Sequence, residues 1–542
     1  MNLVEALRTV AQKQPNTIGL RIPQRDAKGC RSYREKTFRE MDQEADEWAT
    51  YFFAKGFSRG QKVLLLVPPG EDLLLSVFAL LRLGAVPIVI DPGMGFKNFF
   101  RCVRKTQPEL FLSISRARGL YLFLKGWVPF RGALFISKRW KRKLAQRHLA
   151  CRLQPEDRSH EMAAILFTSG STGHPKGAVY TYAELNAQME ALLRIFHIQP
   201  GEVDLPLLPV FSLYNPAMGL TTVLPEMDPA HPSTLDPHKI LSAILENHVT
   251  HSFGSPCLWS KLVEYCEQQH RSLPSVKRLF LAGAPVSPFL LKRVQALLPN
   301  GQAFTPYGAT EALPVAYISA KEVMDETYAK TLQGCGTCVG HPVVGVQVRI
   351  LPICDGEMDQ LPPALPTGTI GEIAVSAPYM SKCYFRDERA TRNAKVKDAN
   401  GVLWHRMGDV GYFDEKGRLW FCGRKVERVV TPQQTFYTDC CEAIFNHHPQ
   451  VFRSALIAFA KNGSVVPAIV IEPKRRLSSL EVNDLLRALR MLAKSVVSTQ
   501  PICHFCTYAS FPVDIRHNAK IHRGTLSRYF QKHPNRVKVF EV

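Results

Sequence analysis

No run of about 20 apolar residues occurs in this chain of 542 residues, so no helix it forms is expected to cross a bilayer. The nearest approach, residues 119–136, is interrupted by Lys125, Pro129 and Arg131. Internal repeats and low-complexity tracts are also missing, which excludes solenoids, propellers and fibrous arrays. The opening residues Met1-Asn2-Leu3-Val4-Glu5-Ala6-Leu7-Arg8 suit an amphipathic helix and lack the apolar h-region of a secretory leader. Acidic residues are under-represented: 47 Asp and Glu face 68 Lys and Arg, a net charge of +21. That balance raises nucleic acid as a partner. The basic residues are nevertheless spread along the chain without a nucleic-acid-binding motif, and a positive field also gathers small anions. No nucleic-acid partner is expected.

Cysteine is not scarce. Fourteen cysteines without a leader point to a reducing, cytoplasmic setting in which most are buried thiols. Cys335-x-x-Cys338 and Cys503-x-x-Cys506 lack the neighbouring His and Cys of a zinc ribbon and are read as structural. The 46% hydrophobic and 21% charged content is that of a globular chain. Its length implies two to four domains or subdomains.

What is present is concentrated in one loop, Thr168-Ser169-Gly170-Ser171-Thr172-Gly173-His174-Pro175-Lys176-Gly177. Glycine lets the backbone take φ > 0 and bring N–H groups close to an anion. The hydroxyls add donors, and Lys176 adds a compact positive charge suited to phosphate oxygens. A Walker A loop would run straight into a helix. Here a strand-like run, Ala163-Ala164-Ile165-Leu166-Phe167, precedes the loop, and Gly177-Ala178-Val179-Tyr180 follows it. Only then do Thr181 and Glu184 open a helix with capping-box spacing. The loop therefore reads as a hairpin-like connection closing over phosphates.

Around it, strand and helix alternate. Residues 62–67 and 86–90 read as strands on either side of a helix at 71–83, a βαβ unit of a parallel sheet. The rhythm returns with helices at 235–247, 260–269 and 288–298 and a strand at 276–282. From Gly334 short strands with Gly/Pro turns suggest a β-rich subdomain, and beyond Gly423 a compact α+β tail follows.

The decapeptide resembles the signature loop of the adenylate-forming superfamily (the AMP-binding or ANL enzymes): acyl-CoA synthetases, luciferases and peptide-synthetase adenylation domains. Further segments match that superfamily in order: Leu281-Ala282-Gly283-Ala284-Pro285, Tyr307-Gly308-Ala309-Thr310-Glu311, Gly408-Asp409, Gly423-Arg424 and Asn518-Ala519-Lys520-Ile521. The resemblance covers essentially the whole chain. It implies an α/β fold, with a large N-terminal adenylation domain (1–423) of helix-layered sheets plus a β-rich subdomain. A small mobile α+β lid (424–542) completes it.

It also implies ATP and Mg²⁺, with AMP transferred to a substrate and pyrophosphate released. On that resemblance Thr168, Ser169, Gly170, Ser171, Thr172, Gly173 and Lys176 bind phosphates, while Gly283, Ala284 and Pro285 face an adenine edge. Tyr307, followed by Gly308, stacks on adenine; Thr310 offers a hydroxyl and Glu311 a carboxylate for Mg²⁺. Asp409 accepts from the ribose, Arg424 marks the junction, and Lys520 brings charge to the reacting α-phosphate when the tail closes. Lys176, Thr310, Glu311 and Lys520 are the expected catalytic groups. Phe211, Leu213 and Met218, with Leu220, are candidates for an alkyl tunnel or for ordinary core packing.

Departures narrow the branch. Met407 replaces the usual hydroxyl before Gly-Asp, and Val426 replaces the Asp or Lys after the junction arginine. Gln433 and Val430 stand where CoA ligases carry Gly and Lys, and Lys520 is reached without the usual Ser-Gly. Together these resemble the OleC-type β-lactone synthetases of bacterial olefin biosynthesis. That implies a long-chain 2-alkyl-3-hydroxy fatty acid closed to a β-lactone. A fatty acyl-CoA or acyl-AMP ligase, with CoA as acceptor, is the alternative, and a non-catalytic nucleotide-binding protein is the third reading. Finally, Tyr121-Leu122-Phe123-Leu124 and Trp127 precede Lys138-Arg139-Trp140-Lys141-Arg142-Lys143. Segment 119–144 thus suits peripheral contact with an anionic membrane or a multienzyme partner, or else a solvated surface insertion.

Overall fold

The segment Glu71–Leu83 is apolar apart from its first turn, Ser76 and Arg82, and a helix of that kind has to be surrounded. In the computed structural model it is buried from Leu74 to Leu83, and Gly84 closes it at φ +72°. The structure describes residues 3–25, 31–145, 157–168, 174–208, 212–228, 231–461, 463–513 and 520–540. Residues of this helix pack in one core with Trp48 and Phe52 of the helix Phe38–Ala54, Tyr182 and Met189 of Tyr182–Ile195, and Phe280.

Two sheets enclose that helical layer. The six-stranded sheet runs Gly132–Ile136, Leu110–Ile114, Lys62–Leu66, Val86–Val89, Met162–Thr168, Lys176–Thr181. Its first five strands are parallel, and the sixth turns back antiparallel with Thr168 opposite Lys176. The glycine-rich loop is therefore the connection of a hairpin, as the flanking runs suggest.

The fourteen-stranded sheet changes character along its width. From Gln302–Ala309 through Arg278–Leu281, His251–Gly254, Val203–Asp204 and Thr221–Val223 to Ile18–Arg25 it is parallel. On the other side of Gln302–Ala309 the strands Ala312–Ser319, Thr337–Pro342, Leu419–Arg424, Leu403–Phe413, Gly371–Ser376 and Gln347–Leu351 are all antiparallel. The strands beyond Gly334, expected as a β-rich subdomain, thus extend the same sheet. Backbone hydrogen bonding makes them continuous with the parallel half.

The chain leaves this sheet at Arg424, and a short turn Lys425–Glu427 follows. Beyond it a four-stranded sheet (Val451–Lys461, Ser464–Pro473, His504–Thr507, Lys538–Val539) carries the helices Thr438–Asn446, Ser479–Lys494 and Arg523–Lys532. Its two cores lie around Phe445 and Leu489 and around Phe459 and Phe530. Gly423, at φ +134°, lets it approach the large sheet, because a Cβ there would lie 2.2 Å from Thr438 Oγ1.

Segment 119–144 divides in two. Trp140 is a core residue, 4.7 Å from Trp48 between ring centroids and also packed on Phe52, and Lys141 pairs with Asp72. The segment is anchored by Trp140, whose indole packs in the core against the helix Phe38–Ala54, while Lys138, Arg139 and Arg142 stay exposed. Leu122, Phe123 and Trp127 remain exposed.

Candidate active site

A two-residue turn places Thr310 and Glu311 at the tip of the hairpin formed by Gln302–Ala309 and Ala312–Ser319. Gly308 is required just before it, since a Cβ would meet the Ala312 carbonyl at 2.6 Å. Glu311 is buried, and its Oε1 accepts the Tyr384 hydroxyl at 2.7 Å. The Tyr180 hydroxyl donates to the Thr310 carbonyl. Lys176 Nζ lies 5.3 Å from the centre of the Tyr384 ring, a cation–π distance. Tyr384 therefore links the lysine of the glycine-rich loop to the carboxylate of the hairpin tip.

Behind Glu311 the Ser381 N–H donates to its carbonyl at 2.9 Å, and Lys395 Nζ donates to the Ser381 carbonyl. Burial pulls the Lys395 ammonium down to about 8, opposed by the Glu311 carboxylate. Burial, with Lys395 nearby, keeps the His405 imidazole well below its ordinary range and so neutral.

On the same hairpin, three residues before Thr310, the Tyr307 hydroxyl donates to Asp409 Oδ2 at 2.7 Å. Asp409 sits opposite Arg424 across the strands Leu403–Phe413 and Leu419–Arg424, and Oδ1 lies 2.6 Å from Arg424 Nη1. That approach is an ion pair off the hydrogen-bond direction, so buried Oδ1 can still accept a donor. Burial raises the Asp409 carboxyl, countered by Arg424 and Tyr307, and burial with Asp409 lifts Tyr307 well above its usual range. Gly408 precedes Asp409 at φ +68° with open space where a Cβ would point. Gly283, at φ +87°, turns the chain beyond Arg278–Leu281, leaving Ala284 half-buried and Pro285 exposed.

Thr168 ends its strand opposite Lys176. The expected phosphate contacts of Ser169, Gly170, Ser171, Thr172 and Gly173 lie outside the described residues, as does Phe211. Lys520 is half-buried beside Ile521, which bridges Val513. Nearby, Arg523 pairs with Glu427 at 2.8 Å and Glu442 at 2.7 Å, tying this connection to the turn after Arg424.

Next to Tyr307, at Pro306, begins a cavity of about 70 Å³ lined by Phe196, Met218, Phe253, Phe280, Leu313 and Pro314. Leu213 packs instead against Leu20, Met41 and Leu74. The cavity's polar end holds Asp204, Asn215 and His251. Asn215 Nδ2 donates to Asp204 Oδ2 at 2.7 Å, while Asp204 Oδ1, 3.7 Å from His251 Nε2, has no hydrogen-bond partner among the described residues. Burial lifts the Asp204 carboxyl to about 7 against the Asn215 hydrogen bond, and burial with Arg278 takes His251 down to about 3.

The donor chemistry suits a nucleotide with Mg²⁺. Among the described residues no group of three or more His, Cys, Asp or Glu could hold a metal alone. One carboxylate beside phosphate-binding groups is how Mg²⁺ is held when phosphates and water complete its shell.

Residues 7–385 match the AMP-binding enzyme family. The chain belongs to that family. This AMP-binding enzyme is 39% identical over 97% of its length to the olefin β-lactone synthetase of Xanthomonas campestris pv. campestris, of which it covers 97%. The olefin β-lactone synthetase of Stenotrophomonas maltophilia is likewise 39% identical, with 97% of each chain covered. In fold it is similar to the o-succinylbenzoate coenzyme A synthetase of Bacillus subtilis in complex with ATP and magnesium. The TM-score is 0.75 at 20% identity, over 96% of this chain and 98% of that one.

Several groups escaped the sequence. Tyr384 and Tyr180 touch the Glu311 hairpin and Lys395 reaches it through Ser381, but each is a lone residue with no motif spacing. Asp204 and His251 are neighbours only across the strands Val203–Asp204 and His251–Gly254.

Proposed function

We propose that this enzyme uses ATP to activate a long-chain 2-alkyl-3-hydroxy fatty acid and close it to a β-lactone, releasing AMP and pyrophosphate. The similarity to two β-lactone synthetases along nearly the whole length of each carries this reading. The apolar lining of the cavity at Pro306, next in sequence to Tyr307, supports an alkyl-bearing substrate.

In this account Tyr307 stacks on adenine, Asp409 Oδ1 accepts a ribose hydroxyl, and the turn at Gly283, Ala284 and Pro285 faces the base. Glu311, held by Tyr384, would ligate Mg²⁺, with the Thr310 hydroxyl beside it. Bound there, Mg²⁺ would neutralise phosphate oxygens and the leaving pyrophosphate. Lys176 and the glycine-rich loop bind the phosphates. Residues 424–542 act as a lid pivoting near Arg424, and its closure brings the Lys520 ammonium to the charge that develops on reaction. The acceptor hydroxyl is part of the substrate, so ring closure is intramolecular and needs no CoA. A reducing, cytoplasmic setting belongs to the same reading.

The test is pyrophosphate release with 3-hydroxy and 3-deoxy long-chain acids, each with and without CoA. Turnover of the 3-hydroxy acid alone, indifferent to CoA, is expected. Strict dependence on CoA, or equal turnover of the 3-deoxy acid, would assign the chain to the acyl-CoA ligases instead.

A further inference from the structure

The helix Phe96–Thr106 has three stripes. Phe99, Cys102, Val103 and Thr106 face the core, Lys97, Arg101 and Arg104 are exposed, and Phe96 and Phe100 stand one turn apart between them. Phe96 and Phe100 meet a second surface element, the helix Arg118–Lys125 and the residues after it. Ring centroids are 5.7 Å apart for Phe96–Phe123, 6.2 Å for Phe100–Phe123 and 5.5 Å for Phe100–Trp127. Phe96 is 59% exposed, Leu122 67%, Phe123 48% and Trp127 59%. Single exposed apolar residues are ordinary, but a contiguous cluster including tryptophan marks a contact surface.

The charge around it is one-sided. Between residues 92 and 145 the sequence carries thirteen Lys and Arg and one carboxylate, Glu109, which is engaged by Lys62 at 2.8 Å; of these cations Lys105 pairs with Asp387 and Lys141 with Asp72. Lys97, Arg104, Lys125 and Arg131 are exposed. Aromatic tips bordered by cations match the interfacial zone of an anionic bilayer, where rings enter the headgroup–acyl boundary and Lys and Arg meet phosphates. A protein partner would need both an apolar pocket and an acidic rim, whereas a lipid surface supplies both without shape complementarity. The same helix reaches the glycine-rich loop, with Arg101 Nη1 3.1 Å from His174 Nδ1.

We propose that the Phe96/Phe100/Leu122/Phe123/Trp127 face docks peripherally on an anionic lipid surface, holding the nucleotide loop close to the membrane. This surface lies outside the adenylation chemistry and stands or falls independently of it.

Sedimentation with phosphatidylcholine vesicles, with or without about a third phosphatidylglycerol, tests the proposal. Wild-type protein is expected to bind the anionic vesicles and be released at about 0.5 M salt. The combined variant Phe96→Ser, Phe123→Ser, Trp127→Ser should bind at least about tenfold more weakly, with pyrophosphate release on a soluble short-chain 3-hydroxy acid unchanged. Lys97→Ser with Lys125→Ser should weaken binding and flatten its salt dependence. Wild-type protein that ignores anionic vesicles, binds neutral ones equally, or binds no better than the aromatic variant overturns the proposal. So does a wild type that self-associates without lipid when the variant does not, which assigns the face to a protein contact.

Discussion

The proposed nucleotide cleft, with Tyr307, and the apolar cavity, with Pro306, are neighbours along one strand, yet they are built differently. In the cleft each polar group is tied to a partner on another element: Tyr307 to Asp409, Asp409 to Arg424, Glu311 to Tyr384. The cavity is lined mainly by apolar side chains, with one polar end where Asp204 is buried beside Asn215 and His251. A cleft that must bind the same nucleotide in every turnover needs prealigned charges. A cavity that selects an alkyl substrate needs volume and shape, and most apolar residues of the right size supply these.

That contrast can be broken at its strongest point first. Lys520→Ala should lower kcat for pyrophosphate release by about 10²–10³, since the role proposed for its charge is on the reacting phosphate. A loss confined to KM would remove Lys520 from the chemistry. On the cavity side, Phe280→Ala removes a ring packed on Phe253 and Phe304. It should shift the chain-length preference in kcat/KM by roughly 10-fold or more, and destabilise the fold by about 3 kcal/mol. An unchanged preference would mean the cavity does not hold the alkyl chain.

The smallest effect on turnover is expected from Asp204→Asn. Burial lifts the Asp204 carboxyl to about 7, so the native state keeps its proton where the unfolded chain releases it above about 4. Wild-type stability therefore falls as pH rises from about 4 to 7, by roughly 3 kcal/mol from this group. The asparagine variant lacks that contribution, so its denaturation midpoint should drop less than that of wild type between pH 5 and pH 8. Parallel midpoints would place the Asp204 carboxylate in an ionised, compensated state.

The same contrast governs what could be read from the residues alone. The helix Glu71–Leu83, the capping box at Thr181 and Glu184, and the hairpin around the glycine-rich loop follow from local pattern, and the structure contains them. The cleft was legible because its residues come in short motifs. Tyr384 and Lys395 were not, since their roles exist only once the segment near Cys383 lies along the strand Lys176–Thr181. Asp204 and His251 looked like ordinary strand residues until the sheet paired them. Trp140 shows the reverse error: a tryptophan in a basic run suggests a surface, but its ring fills a core layer and leaves only the cations outside.

The central claim is that cleft and cavity together suffice for the whole reaction on one substrate. The most direct measurement is product analysis by mass spectrometry with ATP, Mg²⁺ and a 2-alkyl-3-hydroxy acid, in the absence of CoA. The account predicts a neutral product one water lighter than the acid, formed over many turnovers with one AMP for each. An acyl-adenylate that stops at one equivalent per enzyme, and advances only when CoA is added, would contradict it.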